Sequence, residues 1–495
     1  MSSSTVGIIA AIATAALAAA YLARVSRRKH ETRLAALEAL VQQQQAQLRE
    51  REVQLRTLRQ HGTSGIPVLE SLYRVVLTGG PCGGKTTALA MLKERLESFG
   101  FLVVTVPEAA TLLFSGGVPA PQDEASTFVF QMHLLRLQRE LEDAITTLAR
   151  GTGRRAVVVC DRGLMDGKAY MEDSMWELML EELQLTPVML RDQRYDAVVH
   201  MVTAADGAEP FYTLDNNAVR TEGVAKAIEM DRRTLDCWTG HEHLYIVDNS
   251  CSFDEKTRRV VARIAKLVGI PGPKAVNRKF LLRRMPSAEE IRKHVSRFEV
   301  FEVESTYLVS PKASERCRVR RRQQGTNVSF QHQQWVQEDR AGEAGGAGDP
   351  KGAPAMLIER IITGREYLVL LKQADPACAS VQKTLTCFAW ANSCWELNSF
   401  HGARHVAILE MEAESQDTHL TFPPMVDVIR EVTSEYDYDS YAISHRMAQH
   451  ADTAELKAVR TPSAHAGLQE RKLARVFDAL ESNRTFDPSL PGAGA

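Results

Sequence analysis

The chain has 495 residues, 44% hydrophobic and 25% charged, with a formal net charge of -2. That length exceeds what one core supports and predicts two or three domains. The near-neutral charge excludes a general attraction to nucleic acid, so no nucleic-acid partner is expected and any anion binding must come from local clusters. Residues 1–23 carry no charge, 6–22 are apolar or small, and Arg24, Arg27, Arg28 and Lys29 follow at once. This pattern predicts a transmembrane signal anchor over 1–25 with the bulk in the cytosol, on the mitochondrial outer membrane or the endoplasmic reticulum. A cleaved signal peptide and a mitochondrial presequence compete with that reading. The first lacks a leading positive charge and the second lacks early arginines.

Residues 26–61 predict a helical stalk. Leu34, Val41, Leu48 and Leu55 share one heptad position, Leu37 and Leu58 another, and Gln44 and Arg51 interrupt the second seam. The stalk is either a coiled coil that makes a homodimer or a solvated single helix. A Gly, Ser and Pro linker fills 62–72. From 73 to 270 apolar strands (74–78, 101–106, 156–160, 197–202, 244–247) alternate with helices such as 86–99 and 122–149. The alternation predicts an α/β domain with a parallel sheet covered on both faces. Beyond Pro271-Gly272-Pro273, a domain over 274–450 reads as short strands with a second core. Within it, 338–354 is a Gly/Ala-rich insert expected to be disordered. A C-terminal helix and tail occupy 451–495. The eight cysteines are scattered without a C-x-x-C pair, which argues for a reducing compartment rather than a disulfide or zinc framework.

Gly79-Gly80-Pro81-Cys82-Gly83-Gly84-Lys85-Thr86 fits the Walker A pattern of a P-loop, with Thr87 next, between a strand and a helix. Glycines let backbone N–H groups converge on phosphate oxygens, and the helix N-terminus adds positive charge. Lys85 would neutralise the terminal phosphates, and the Thr86 hydroxyl would coordinate Mg2+. The expected cofactor is GTP or ATP with Mg2+; nothing in the sequence separates the two bases. Asp161 ends the run Val157-Val158-Val159-Cys160 and is the second candidate for the magnesium shell, with Arg162 facing substrate or phosphates. Glu108 closes the second strand at the carboxyl edge, where it could be a general base or a substrate contact. Asn217, Arg220 and Glu222 lie where nucleotide kinases carry a lid. Arg220 is the candidate to stabilise charge in transfer, with Arg232 and Arg233 as alternatives.

TGGPCGGKTT, VPEAATLLFSGG, CDRGLMDGKAY and WTGHEHLYIVDNS resemble the AAA/NadR-type P-loop domain of the TRPL translocation defect protein 14 family. The resemblance runs from residue 75 to 249 and implies GTP binding more readily than a known metabolic kinase reaction.

In the second domain, Arg316, Arg318, Arg320 and Arg322 share one strand face, as do Glu410, Glu412 and Glu414 on another strand. Such faces suit a barrel with a charged interior that binds polyphosphate, the carboxylates holding a divalent cation. NRKFLLRRMP, FEVESTYL, CRVRRR, QKTLTCFAWANSCWELNSF, ILEMEAE and REVTSEYDYDSYAIS follow the order seen in CYTH (triphosphate-tunnel) domains, and this part resembles them over 275–444. The fold class expected is thus an α/β P-loop NTPase/kinase-like domain followed by an α+β CYTH-like antiparallel tunnel barrel, after an N-terminal transmembrane helix and stalk. Catalytic members carry Glu-x-Glu-x-Lys on the first strand; this chain has Ala275-Val276-Asn277-Arg278-Lys279, so only Lys279 survives. The resemblance still implies an anion-binding tunnel of Lys279, Arg318, Arg320 and Lys383, with Glu410 and Glu412, for a phosphoinositide or polyphosphate headgroup. The expected function is a membrane-anchored, nucleotide-binding protein in a regulatory or trafficking role. A NadR-type small-molecule or nucleoside kinase is the alternative, and a tunnel triphosphatase ranks last.

Overall fold

The structure, a computed structural model, describes residues 72–212, 223–270, 275–310, 315–337, 355–402 and 406–451. All of them belong to one compact unit, Glu70–Ala495. The expected anchor, stalk, insert over 338–354 and most of the C-terminal tail lie outside the described residues, as do Asn217, Arg220 and Glu222.

Five strands, β1 (Leu72–Thr78), β2 (Leu102–Val106), β3 (Ala156–Asp161), β4 (Ala197–Met201) and β5 (Leu244–Val247), pair in parallel in the order β2-β3-β1-β4-β5. Ala156 to Cys160 are all buried, as are Ala197 to Met201. These strands read as continuous apolar runs because helices cover both sheet faces. Helices α1 (Lys85–Ser98), α2 (Ala109–Ser115), α3 (Glu124–Gly151), α4 (Asp173–Glu182), α5 (Pro187–Leu190), α6 (Val224–Trp238) and α7 (Phe253–Leu267) supply that cover. Leu92 and Leu96 of α1 meet Val260 and Ile264 of α7 on one face, while Leu135 of α3, Met179 and Leu180 of α4, and Trp238 of α6 fill the other. The loop after β1 therefore opens mid-sheet at the carboxyl edge, flanked by the ends of β3 and β4.

The second sheet has nine strands: β6 (Val276–Leu282), β7 (Phe298–Leu308), β8 (Glu315–Gln324), β9 (Asn327–Gln337), β10 (Ala355–Ile362), β11 (Val381–Trp390), β12 (Ser393–Phe400), β13 (Ala407–Ala413) and β14 (Val428–Glu431). Their order is β10-β9-β8-β7-β11-β12-β13-β6-β14, antiparallel throughout. The β11–β12 hairpin turns at Ala391-Asn392, both at positive φ (48° and 55°), the backbone of a two-residue turn matched to strand twist. Helices α8 (Ala288–Arg292), α9 (Gly364–Leu371) and α10 (Ser440–Ala451) pack around it.

Two expectations are corrected here. The second domain is a large open antiparallel sheet and not a closed tunnel barrel: β10 and β14 are its two edges, and no pairing joins them among the described residues. Alternating charge marks one face of a strand but carries no information on closure, which depends on tilt and stagger along the whole sheet. The expected transmembrane helix and membrane-anchored location are likewise not upheld. No helix among the described residues is long and apolar enough to cross a membrane. The longest, α3, has 28 residues but carries charges along its length.

Candidate functional site

The loop from Gly79 to Gly84 bends sharply between β1 and α1. Gly84 caps α1 at φ +91°, and a Cβ there would lie 2.5 Å from Cε2 of Phe253, so only glycine suits the position. The Lys85 ammonium donates to the carbonyls of Gly79 (3.1 Å) and Gly80 (2.9 Å) and is thereby folded back over its own loop. Thr86 and Thr87 are exposed at the start of α1. The next peptides are gripped from behind. The Gly80 N–H donates to Asp231 Oδ1 of α6, and the Thr203 hydroxyl donates to the Pro81 carbonyl at 2.6 Å. Asp231 Oδ1 also accepts from the Thr203 N–H at 3.2 Å, and Oδ2 meets His200 Nε2 at 3.2 Å.

Four charged groups converge beside the loop. Arg162 follows β3 in the left-handed region (φ 74°), a position that costs a non-glycine residue about 1 kcal/mol. Its guanidinium pairs with Glu108 (3.3 Å) and reaches Asp166 (4.0 Å). Asp166 is buried, accepting from the Thr78 hydroxyl (2.7 Å), Trp238 Nε1 (2.6 Å) and the Gly163 N–H (3.1 Å). Burial pushes the Lys85 ammonium down to about 7, and Arg162 adds to this, while Asp161, Glu108 and Asp166 act the other way. Burial raises the Asp161 carboxyl, against the pull of Lys85. Burial alone would also raise Glu108; Arg162, the Thr111 hydroxyl and Lys85 outweigh it and hold the carboxyl below its ordinary value.

The residues present fit a magnesium ion at this loop. Asp161 Oδ1 is buried with no hydrogen-bond partner among the described residues, and a magnesium shell needs only one or two protein oxygens besides phosphates and waters. Asp161 and the Thr86 hydroxyl are the groups that would hold it.

A second site lies at the seam between the two sheets, a cavity of about 1420 Å³. Lys279, Arg318, Arg320, Lys383, Glu410 and Glu412 all line it, together with residues of β5 and α7. Their partners divide them. Arg320 is paired with Glu242, just before β5, and Glu412 accepts from Arg263 and Lys266 of α7, each at 2.7 Å. Glu410 faces Lys279 across the β13–β6 ladder and accepts from Asn277 at 3.2 Å. Lys279 is 3.9 Å from Asp439. Arg316, Arg318 and Lys383 form no ion pair among the described residues. Arg316 lies over Tyr441, Arg318 over Trp335 and Lys383 over Phe400, at 4.5, 4.9 and 5.6 Å. Burial pushes Lys383 down to about 8, with Glu410 opposing. Among the described residues no three His, Cys, Asp or Glu side chains converge on a metal position.

Sequence reasoning did not single out Asp166, Asp231, His200, Thr203, Phe253 or Glu242. Asp166 had a signal, since it stands four residues after Arg162 in a motif already quoted. Asp231 had none, because Gly80 is 151 positions away.

A family model described as an AAA domain matches residues 74–256, well under half of the chain. No curated protein matches. Among solved structures, an inorganic triphosphatase is 21% identical, covering 35% of this chain and 95% of its own, with a TM-score of 0.23. A thymidylate kinase from Ehrlichia chaffeensis is 14% identical, covering 40% and 99%, with a TM-score of 0.27. A protein from Pyrococcus horikoshii is 19% identical, covering 28% and 77%, with a TM-score of 0.21. Similarities this weak carry no argument; over residues 74–256 the matched AAA domain model, the parallel sheet and the glycine-rich loop after β1 agree on a P-loop domain.

Proposed function

We propose that the chain binds GTP or ATP with magnesium at Gly79–Thr87 and a phosphorylated polyanion in the seam cavity, acting as a nucleotide-dependent receptor for that anion. The observation that carries the first part is Lys85 seated on the Gly79 and Gly80 carbonyls beside a buried Asp161 oxygen that has no hydrogen-bond partner among the described residues. Phosphate oxygens brought between the loop N–H groups and Lys85 would restore the ammonium's charge, which burial disfavours. Magnesium held by Thr86 and Asp161 would supply further positive charge to the phosphates. The second part rests on Arg316, Arg318 and Lys383, three cations lining one cavity that form no ion pair among the described residues. An inositol phosphate headgroup and a free polyphosphate share the chemistry they select.

A specific observation favours phosphoryl transfer as the second reading. Glu108 is held ionised against Arg162 on the same side of the loop as Lys85, where an acceptor hydroxyl could hand over its proton. Arg220, outside the described residues, stays a proposal for the same reaction. Mass spectrometry of the nucleotide and products, after incubating the full chain with GTP, ATP and an inositol phosphate panel, separates the readings. Retained nucleotide with an unmodified anion supports the receptor, and a phosphorylated acceptor supports the kinase. Failure to retain either nucleotide removes both.

A further inference from the structure

Helix α7 touches both sites. Its first residue, Phe253, places its ring against Gly84 of the phosphate loop. One turn on, Lys256 ties the same end down, donating to the Val202 carbonyl (2.7 Å) and Asn249 Oδ1 (2.6 Å). Val260 and Ile264 bury one stripe of the helix beneath the parallel sheet. Arg259, Arg263 and Lys266, spaced i, i+4 and i+7, form another stripe that lines the seam cavity. The run from Phe253 to Lys266 is about 20 Å at 1.5 Å per residue. One helix therefore spans from the phosphate loop to the seam cavity.

The three cations are held, but not sealed. Arg263 and Lys266 share one carboxylate, Glu412, and Arg259 pairs with Glu414 and Asp248. The Lys266 side chain is 47% exposed, Glu412 31% and Glu414 52%. A polyanion entering beside Lys383 and Arg318 competes with Glu412 for cations already within its reach. Ion pairs this open exchange readily.

We propose that the cavity is a composite site in which Arg263 and Lys266 of the nucleotide-binding half contact the phosphorylated ligand, so that Phe253 on the same helix links its binding to that of the nucleotide. This rests on the proposed function of both sites. Linkage through one element is reciprocal, since each ligand biases the same helix position.

The test uses the full chain with its phosphate loop saturated by a non-hydrolysable nucleotide. Calorimetric titration with inorganic tripolyphosphate and, separately, with inositol 1,4,5-trisphosphate measures the cavity. Binding of either supports the site, and the tighter probe identifies the source as free polyphosphate or headgroup. Arg263→Ala/Lys266→Ala should weaken binding about tenfold or more. Glu412→Gln should tighten it about threefold, a direction that a folding defect does not produce. Release of a pre-bound fluorescent nucleotide into excess unlabelled nucleotide should change about fivefold when the cavity is filled. That effect should vanish in Phe253→Ala. Anion binding that neither the double variant nor Glu412→Gln alters, with nucleotide release unchanged, overturns the composite site while leaving two independent sites. No anion binding to the nucleotide-loaded wild type overturns the cavity reading itself.

Discussion

Asp231 is the residue whose replacement probes the phosphate loop most directly. Its two carboxylate oxygens serve three donors: the Gly80 N–H, the Thr203 N–H and the His200 ring. The side chain is 6% exposed, so water does not readily take its place. In Asp231→Ala both backbone donors lose their acceptor, at about 1–3 kcal/mol each. The share that falls on Gly80 acts on the loop that must receive phosphate. Nucleotide affinity should accordingly fall about 5- to 150-fold, as a loss of about 1–3 kcal/mol requires. Asp231→Asn keeps one oxygen able to accept from both N–H groups and turns an amide toward His200. It should stay within about threefold of wild type, since the hydrogen bonds and not the charge do the holding.

Fluorescent-nucleotide titration reads the loop and urea unfolding reads stability. Wild-type affinity in Asp231→Ala would show that the loop holds its shape without the clamp and refute the reasoning. Equal losses in Asp231→Asn and Asp231→Ala would show that charge matters instead. The pH dependence follows from the same contacts. Burial alone would raise the Asp231 carboxyl, but His200 and the N–H donors hold it below its ordinary value. Its contribution is therefore fully present above the unfolded value near 4 and is lost only as pH falls through the lower folded value. No loosening of the loop from this group is expected between pH 5 and 8.

Lys85→Ala should abolish nucleotide binding, because the terminal phosphates lose the cation seated at Gly79 and Gly80; unchanged affinity in equilibrium dialysis sinks the loop assignment. Lys383, pushed down to about 8 by burial, is regained as a cation when an anion binds. Anion affinity should hold below pH 7 and fall as pH rises through about 8, by up to tenfold per unit, with proton uptake in calorimetry; Lys383→Arg should flatten that profile. Glu108→Gln should leave nucleotide affinity within about threefold, because the carboxylate faces Arg162 rather than the loop N–H groups. If phosphoryl transfer occurs, the same change should lower its rate about 10²-fold or more, and an unchanged rate removes Glu108 as the base.

The parallel sheet was legible because its signals are local. Val157 to Cys160 are apolar on both faces and end in Asp161, and the loop of glycines before Lys85 needs no distant partner to be recognised. Each expected strand of that half lies within two residues of the observed one. The contacts that hold the loop were not legible. Asp231 reaches Gly80 across 151 positions, and Phe253 reaches Gly84 from the other end of the domain. Arg318, Arg320, Glu410 and Glu412, singled out by the charged alternation on β8 and β13, all line the seam cavity. That alternation said nothing about whether the sheet closes, nor about which charges face a ligand and which face the neighbouring half.

That last division has a physical logic. Arg322 is buried between Asp192 (3.0 Å) and the Phe301 ring (3.5 Å), and it also donates to the Gly240 carbonyl. Arg191 joins the same cluster, pairing with Asp192 (2.9 Å) and donating to the Thr239 carbonyl (2.8 Å) and Gln324 (3.0 Å). Buried ion pairs of this sort contribute little net stability, because desolvation offsets their attraction, but removing one partner costs about 3–5 kcal/mol. They penalise every misaligned docking far more than they reward the correct one. Two arginines on β8, Arg320 and Arg322, thus fix the sheet on the loops around Asp192 and Glu242, while Arg316 and Arg318 at the other end of the same strand face the cavity. A single strand face sets the orientation of the two halves with one end and presents cations to a ligand with the other. The seating of the second sheet against the parallel-sheet half is in consequence set by buried charge, which is what would let α7, itself part of the cavity wall, respond to a bound anion under the proposed linkage.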